Sequence, residues 1–232
     1  MFKTKLSESR AWGELNTSKF MDRHLGAIAA LILMSLLSSL SGTPFDHNIS
    51  NGWEAFVWGL ADPVISLNCL VGIVAIGLLS SVFVSGAAIA GCFVLATVLG
   101  IVIHIFQLDL PGTEIAFAES VGAAIAISTI VFGTMLMMPN QLNFLVLALV
   151  GISAGLFQGY ANAESIVSAG TISVVAYILG IALTLFAVAM SAREIGVGMG
   201  MGEINRTLSW KISLAGFALC AIGIVFLSNS LI

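Results

Sequence analysis

The sequence predicts an all-α fold: a polytopic transmembrane helix bundle of about seven helices, N-terminus in the cytoplasm and C-terminus outside. Three observations predict it. Of 232 residues, 59% are hydrophobic and 9% charged, against about 25% charged in a soluble domain. Such a chain, with mean hydropathy +1.08, cannot cover itself with a polar surface, so lipid must solvate much of it. The apolar residues fall in runs near the roughly 20 residues needed to cross about 30 Å of hydrocarbon. Finally, one topology places all eight Lys and Arg on a single side of the membrane.

The elements follow in order. Residues 1–24 form a polar cytoplasmic segment with Lys3, Lys5, Arg10, Lys19 and Arg23. The first apolar run, 25–40, gives a first transmembrane helix over 25–42. Its basic flank is that of a signal peptide, but the charged stretch is long and no A-x-A cleavage site follows, so the helix reads as retained. A five-helix membrane core spans 50–195. Its runs are 53–82, interrupted at Asp62-Pro63, then 84–106, 113–138, 142–157 and 166–192. The run 142–157 is short and must borrow residues from the polar stretch after it. A Gly/Met-rich linker, 196–210, leads to the last helix, 211–232.

Orientation comes from the basic residues. Five precede the first helix, and Arg193, Arg206 and Lys211 lie between the sixth and seventh. Seven spans put both groups on the cytoplasmic side, as the positive-inside rule requires. A six-span chain with a cleaved leader keeps that orientation for the rest.

Several function classes fall away. The formal charge of −4 comes without a basic patch, so no nucleic-acid partner is expected. No catalytic or nucleotide-binding signature is present, so the sequence predicts neither an enzyme nor an ATP-driven pump by itself. Cys69, Cys92 and Cys220 all lie in apolar runs without disulfide-like spacing.

The informative residues are polar ones at membrane depth, where an ionisable group is costly and is a functional candidate by default. Asp62 lies about 10 residues into its run, beside Pro63, and proline there predicts a kinked or broken helix. Asp62, Ser66 and Cys69 are spaced i, i+4, i+7, one face of a continuous helix, with Asn68 adjacent. His104 ends the next span. Glu114 opens the one after, and Glu119 lies about 7.5 Å deeper. Gln158, Tyr160, Asn162 and Glu164 close the fifth span. All fall in the outer half of the membrane or at its rim. Carboxylate, imidazole, thiol and amide oxygen together suit a divalent transition metal. This makes Asp62, Cys69, His104, Glu114 and Glu164 candidate metal ligands, and Ser66, Asn68, Glu119, Gln158 and Asn162 candidates for a surrounding polar pocket. Plainer readings stand beside these: Glu114 as a first-turn acid favoured by the helix dipole, His104 as an interfacial residue, Glu164 as a solvated loop acid.

Three stretches resemble the HupE/UreJ family, particularly its cyanobacterial type. Asp62-Pro63-Val64-Ile65-Ser66-Leu67-Asn68-Cys69 parallels the family's H-P-x-x-G-x-D-H. Ile103-His104, Leu110-Pro111, Glu114 and Ser120 parallel I-H…L-P-x-x-E…S. Gln158-Gly159-Tyr160-Ala161-Asn162-Ala163-Glu164-Ser165-Ile166-Val167 parallels H-G-Y-A-x-G-E-S-I-V. The resemblance covers roughly 50–195 and implies nickel or cobalt uptake, or an accessory role in it, with the family's His and Asp as metal ligands. The departures are substantial: the two His of the first motif are Asp62 and Cys69, its Asp is Asn68, and the His of the third is Gln158. Imidazole, the common side chain best suited to nickel, is therefore lost at three positions, while His104, Glu114 and Glu164 remain. Glu119 is an additional acid.

Two functions follow. One is a divalent transition-metal permease or accessory factor with a nickel or cobalt ion as cargo. The other, motivated by the replaced ligands and the long N-terminal segment with Trp12, is a non-transporting subunit or assembly factor of a larger membrane complex, for which a photosynthetic complex is a natural host. The expected partners are membrane lipid and, for the second function, other integral subunits. The expected location is a bacterial inner membrane or a thylakoid membrane. The sequence leaves pigment contacts open: His47 and His104 are the available axial ligands.

Overall fold

The computed structural model describes residues 51–106, 114–138, 142–167, 169–199 and 206–230, without the side chains of 114–119 and 206–211. The N-terminal segment, the predicted first helix and His47 lie outside the described residues. The described chain is helical, in the order α1 (Gly52–Ile65), α2 (Leu67–Ser80), α3 (Gly86–Ile105), α4 (Glu114–Met137), α5 (Phe144–Ala163), α6 (Thr171–Gly198) and α7 (Arg206–Ser230). A 3-10 turn, Glu164–Ile166, follows α5. This is an all-α polytopic bundle. Five of its helices are long and apolar enough to cross a membrane, and α1 with α2 makes a sixth, broken span.

The break is the main departure from a simple bundle. Each half has 14 residues, about 21 Å of helix, too short to cross alone. The two are bent by 75°. The break was expected at Asp62-Pro63 but lies at Ser66, whose backbone is extended at φ −75°, ψ 108°. Pro63 removes one donor, yet the helix continues through it, and the Ser66 amide closes the last turn on the Asp62 carbonyl at 2.9 Å. The turn point is where both halves can reach α6. Gly59 of α1 lies on the Tyr177 backbone and Gly77 of α2 on the Ala189 carbonyl, each so close that a Cβ would overlap them. The expected continuous face through Asp62, Ser66 and Cys69 therefore does not exist, because the helix changes direction between them.

α2 is the centre of the bundle, with 10 of its 14 residues buried. Around it, the helices pair closely through small residues, as bundles in lipid do. α3 runs beside α5, where a Cβ on Gly100 or Gly159 would meet the facing carbonyl of Leu156 or Thr97. Of the glycines in this span, Gly100 thus serves internal packing, while Gly91 faces open space. α4 pairs with α7 through Gly133, Gly216 and Gly223. The outward faces carry Leu95, Leu99, Ile172, Leu179, Phe217 and Ile224, all exposed, as expected of side chains solvated by lipid.

The ends of the helices follow local chemistry with some shifts. Asn51 caps α1 by accepting the Glu54 amide at 2.9 Å, and Asn143 caps α5 by accepting that of Leu145 at 2.9 Å. α5 does borrow the polar stretch, ending at Ala163. α6 does not stop at Arg193-Glu194 but continues to Gly198, and α7 begins at Arg206, inside the predicted linker. Arg193 is accommodated because it lies at the end of the bundle: it pairs with Glu194 at 3.0 Å and reaches the Val84 carbonyl at 3.5 Å, beside the α2–α3 turn.

Candidate functional site

The polar residues lie toward the end of the bundle where α1 and α6 begin and α5 ends. The structure sorts them into three groups. The first is a closed knot. Asp62, on the last turn of α1, is 5% exposed. The Tyr177 hydroxyl of α6 donates to its Oδ2 at 2.7 Å and lies 3.2 Å from the Asn162 main-chain oxygen of α5. The Ser165 side chain also bonds to Tyr177. The Asn162 amide donates to the Cys69 sulfur at 3.9 Å, and Cys69 is fully buried. Asp62, Cys69 and Asn162 are thus brought together across three elements, through a tyrosine.

The second group lines two cavities that meet α2 at Asn68. The larger, about 390 Å³, is lined by Ser66 and Asn68 with Gly122, Phe226, Asn229 and Ser230. The smaller, about 10 Å³, lies deeper and is lined by Asn68 and Gln158 with Ser128 and Thr129, against Phe93 and Phe132. It is at the lower limit of what can hold one water. Asn68 borders both. The Ser128 and Thr129 hydroxyls donate to their own helix, to the carbonyls of Ala124 at 2.7 Å and Ile125 at 3.0 Å. Their oxygens remain as acceptors.

The third group stands apart. His104 packs edge-on against Tyr160, centroids 4.3 Å apart. Its Nδ1 is buried without a hydrogen bond among the described residues. Glu164 is exposed at the end of α5. Glu114 opens α4 and Glu119 follows in its second turn, but their side chains lie outside the described residues. Among the described residues, no three His, Cys, Asp or Glu stand together in a way that could hold a metal ion.

The sequence reading missed Tyr177. Its signal was present: the chain has only two tyrosines, and this one interrupts an otherwise apolar span. Both prove to touch candidate residues, Tyr160 at His104 and Tyr177 at Asp62. Ser128, Thr129 and Asn229 were also missed, because single hydroxyls and a terminal amide in apolar runs look like ordinary helix residues.

No curated protein and no solved structure matches the chain. The HupE / UreJ protein family matches residues 32–226, nearly the whole length and every helix described above. On that match the chain belongs to the HupE/UreJ family of multi-pass membrane proteins.

Proposed function

We propose that the protein moves a divalent transition-metal ion, nickel or cobalt, across its membrane or assists in doing so. The observation that carries this reading is the broken α1–α2 span, with a buried carboxylate at the break and a buried thiol one turn beyond it, in a chain of this family. Discontinuous helices at membrane depth characterise sites where transporters handle ions. Asp62 supplies a charged oxygen and Cys69 a soft sulfur, a pair suited to a transition metal. His104 and Glu164 stand apart from this pair in the structure and, with Glu114, are the further ligands proposed; Ser66, Asn68, Glu119, Gln158 and Asn162 are the polar residues proposed to surround the ion. The N-in/C-out orientation puts this set toward the outer face of a bacterial inner membrane or thylakoid membrane. Uptake of radiolabelled nickel and cobalt by cells expressing the chain tests the reading. Asp62→Ala and Glu114→Ala are expected to abolish uptake, and normal uptake in both variants overturns it.

One observation favours a second reading. Tyr177 already holds Asp62, and Cys69 is sealed, which suits a structural knot as well as a ligand pair. The protein then serves as a non-transporting subunit or assembly factor of a larger membrane complex, a photosynthetic one in keeping with the cyanobacterial character of the motifs. Stoichiometric co-migration with a large assembly on native purification supports this; a free monomer or small homo-oligomer opposes it.

A further inference from the structure

We propose that the end of α5, Asn162 with the 3-10 turn Glu164–Ile166, is a lid over the Asp62–Cys69 pair, and that the Tyr177 hydroxyl is the latch that holds it shut while no ion is bound. This deepens the transport reading and rests on it. The pair is sealed in this structure: Asp62 is 5% exposed, while Cys69 and Tyr177 are not exposed at all. An ion can reach both ligands only if one wall of the knot moves. The walls on α1, α2 and α6 are locked together. Gly59 of α1 lies on the Tyr177 backbone, and Gly180 of α6 on the Phe56 carbonyl, each too close for a Cβ. The Thr184 hydroxyl of α6 also donates to the Leu60 carbonyl of α1 at 3.1 Å. α2, which carries Cys69, meets α6 in the same way where Gly77 lies on the Ala189 carbonyl. Asp62, Cys69 and Tyr177 therefore belong to one body.

The wall on α5 is held more lightly. α5 is clamped to α3 as far as Gly159, which lies on the Thr97 carbonyl. After Ala163 the α-helix gives way to a 3-10 turn, whose hydrogen bonds are poorer and which often marks a hinge. Ala163 and Ile166 are buried in the same apolar cluster as Cys69 and Tyr177, while Glu164 faces outward. This segment is tied to the knot by polar contacts. The Asn162 amide reaches the Cys69 sulfur at 3.9 Å, a weak acceptor. The Asn162 main-chain oxygen lies 3.2 Å from the Tyr177 hydroxyl, and the Ser165 side chain bonds to that hydroxyl too. The same hydroxyl donates to Asp62 at 2.7 Å. Tyr177 thus fastens the lid and occupies an oxygen of the ligand carboxyl at once. A cation that takes this oxygen removes the hydroxyl's acceptor and undoes the fastening. A bond made only in the closed, ion-free state lowers the apparent affinity for the ion. Glu164, one of the further ligands proposed, rides on the moving segment.

The test uses the full-length protein in detergent, with Cys92→Ser and Cys220→Ala so that Cys69 is the remaining thiol. Labelling of Cys69 by N-ethylmaleimide is expected to be slow in this parent, since reaction follows access. Tyr177→Phe is expected to speed it at least about tenfold, the effect of losing one hydrogen bond to a charged group. A second parent, with Cys69→Ser and Ala75→Cys, moves the thiol to a wholly buried position of α2 and reports opening of the whole bundle. Its labelling in Tyr177→Phe is expected to stay far slower than that of Cys69. Equal rates at 69 and 75 mean that the hydroxyl holds the bundle and not a lid, and overturn the proposal, as does an unchanged rate at Cys69. Cobalt(II) is the second probe, read by its thiolate charge-transfer absorption. Tyr177→Phe is expected to bind it about tenfold more tightly than the parent, and Asp62→Ala to lose the absorption. Weaker binding in Tyr177→Phe with Cys69 still sealed means that the hydroxyl orients Asp62, and overturns the latch. Ser165→Ala loosens the same hydroxyl, is expected to act in the same direction, and decides the matter should Tyr177→Phe not fold. A folded parent without the cobalt absorption instead overturns Asp62 and Cys69 as ligands, and with them the transport reading, while the labelling rates still decide the lid.

Discussion

Tyr177 and Asp62, 115 positions apart in the chain, share a 2.7 Å hydrogen bond inside the bundle. The contact ties α6 to the last turn of α1, immediately before the chain bends by 75°. It places a polar clamp where the span is broken and its backbone ladder interrupted.

Removing the Tyr177 hydroxyl is therefore expected to destabilise the fold. Tyr177→Phe leaves the ring's packing and takes away a donor to a buried carboxyl, at a cost of about 1–3 kcal/mol. Thermal unfolding in detergent, followed by size-exclusion chromatography, measures it. An unchanged melting point would show that the clamp contributes nothing.

The α3–α5 contact depends on backbone proximity. Gly159→Val puts methyl groups where the Thr97 carbonyl lies and is expected to cost about 1–3 kcal/mol by overpacking. Gly91→Ala, in the same pair of helices but facing open space, is expected to gain roughly 0.5–1 kcal/mol from helix preference alone. The same melting assay on both variants separates a packed glycine from an incidental one.

The edge-on contact of His104 with Tyr160 is expected to carry a coupling of about 0.5–1.5 kcal/mol. A double-mutant cycle with His104→Leu and Tyr160→Leu measures it. Additive effects would remove this contact as the reason His104 sits there and leave ligation as its role.

Orientation has its own test. The positive-inside rule places Arg193, Arg206 and Lys211 in the cytoplasm. Alkaline phosphatase fused after Ile232 is expected to be active, and the same enzyme inserted in the segment around Gly202 inactive. The reverse pattern would place the polar end of the bundle at the cytoplasmic face.

Much of the bundle was legible in the sequence. The runs that became α3 to α7 were found, with ends shifted by up to six residues, because exclusion of backbone polar groups from hydrocarbon leaves an apolar helix of crossing length as almost the only solution. The ends moved where neighbours decided them. α6 passes Arg193 because that guanidinium finds Glu194 and the Val84 carbonyl, a partnership that apolar run length does not record. The site was legible only as a list. Asp62, Cys69, Asn68, Gln158 and Asn162 were named, but not their division into a closed knot and a lined hollow. Their expected common face assumed a helix that continues past Ser66.

The sequence by itself determined that this is a multi-pass helical membrane protein of the HupE/UreJ family, with polar groups gathered toward one end. Composition, run length and motif order are properties of the chain read locally, and the bilayer acts on them helix by helix. Only the tertiary structure decided that the α1–α2 span breaks at Ser66, that Tyr177 holds Asp62, and that Asn68 borders two cavities. Those outcomes depend on how closely α1 and α2 can approach α6 at Gly59 and Gly77. Such steric limits arise between residues more than 100 positions apart, and no local pattern encodes them.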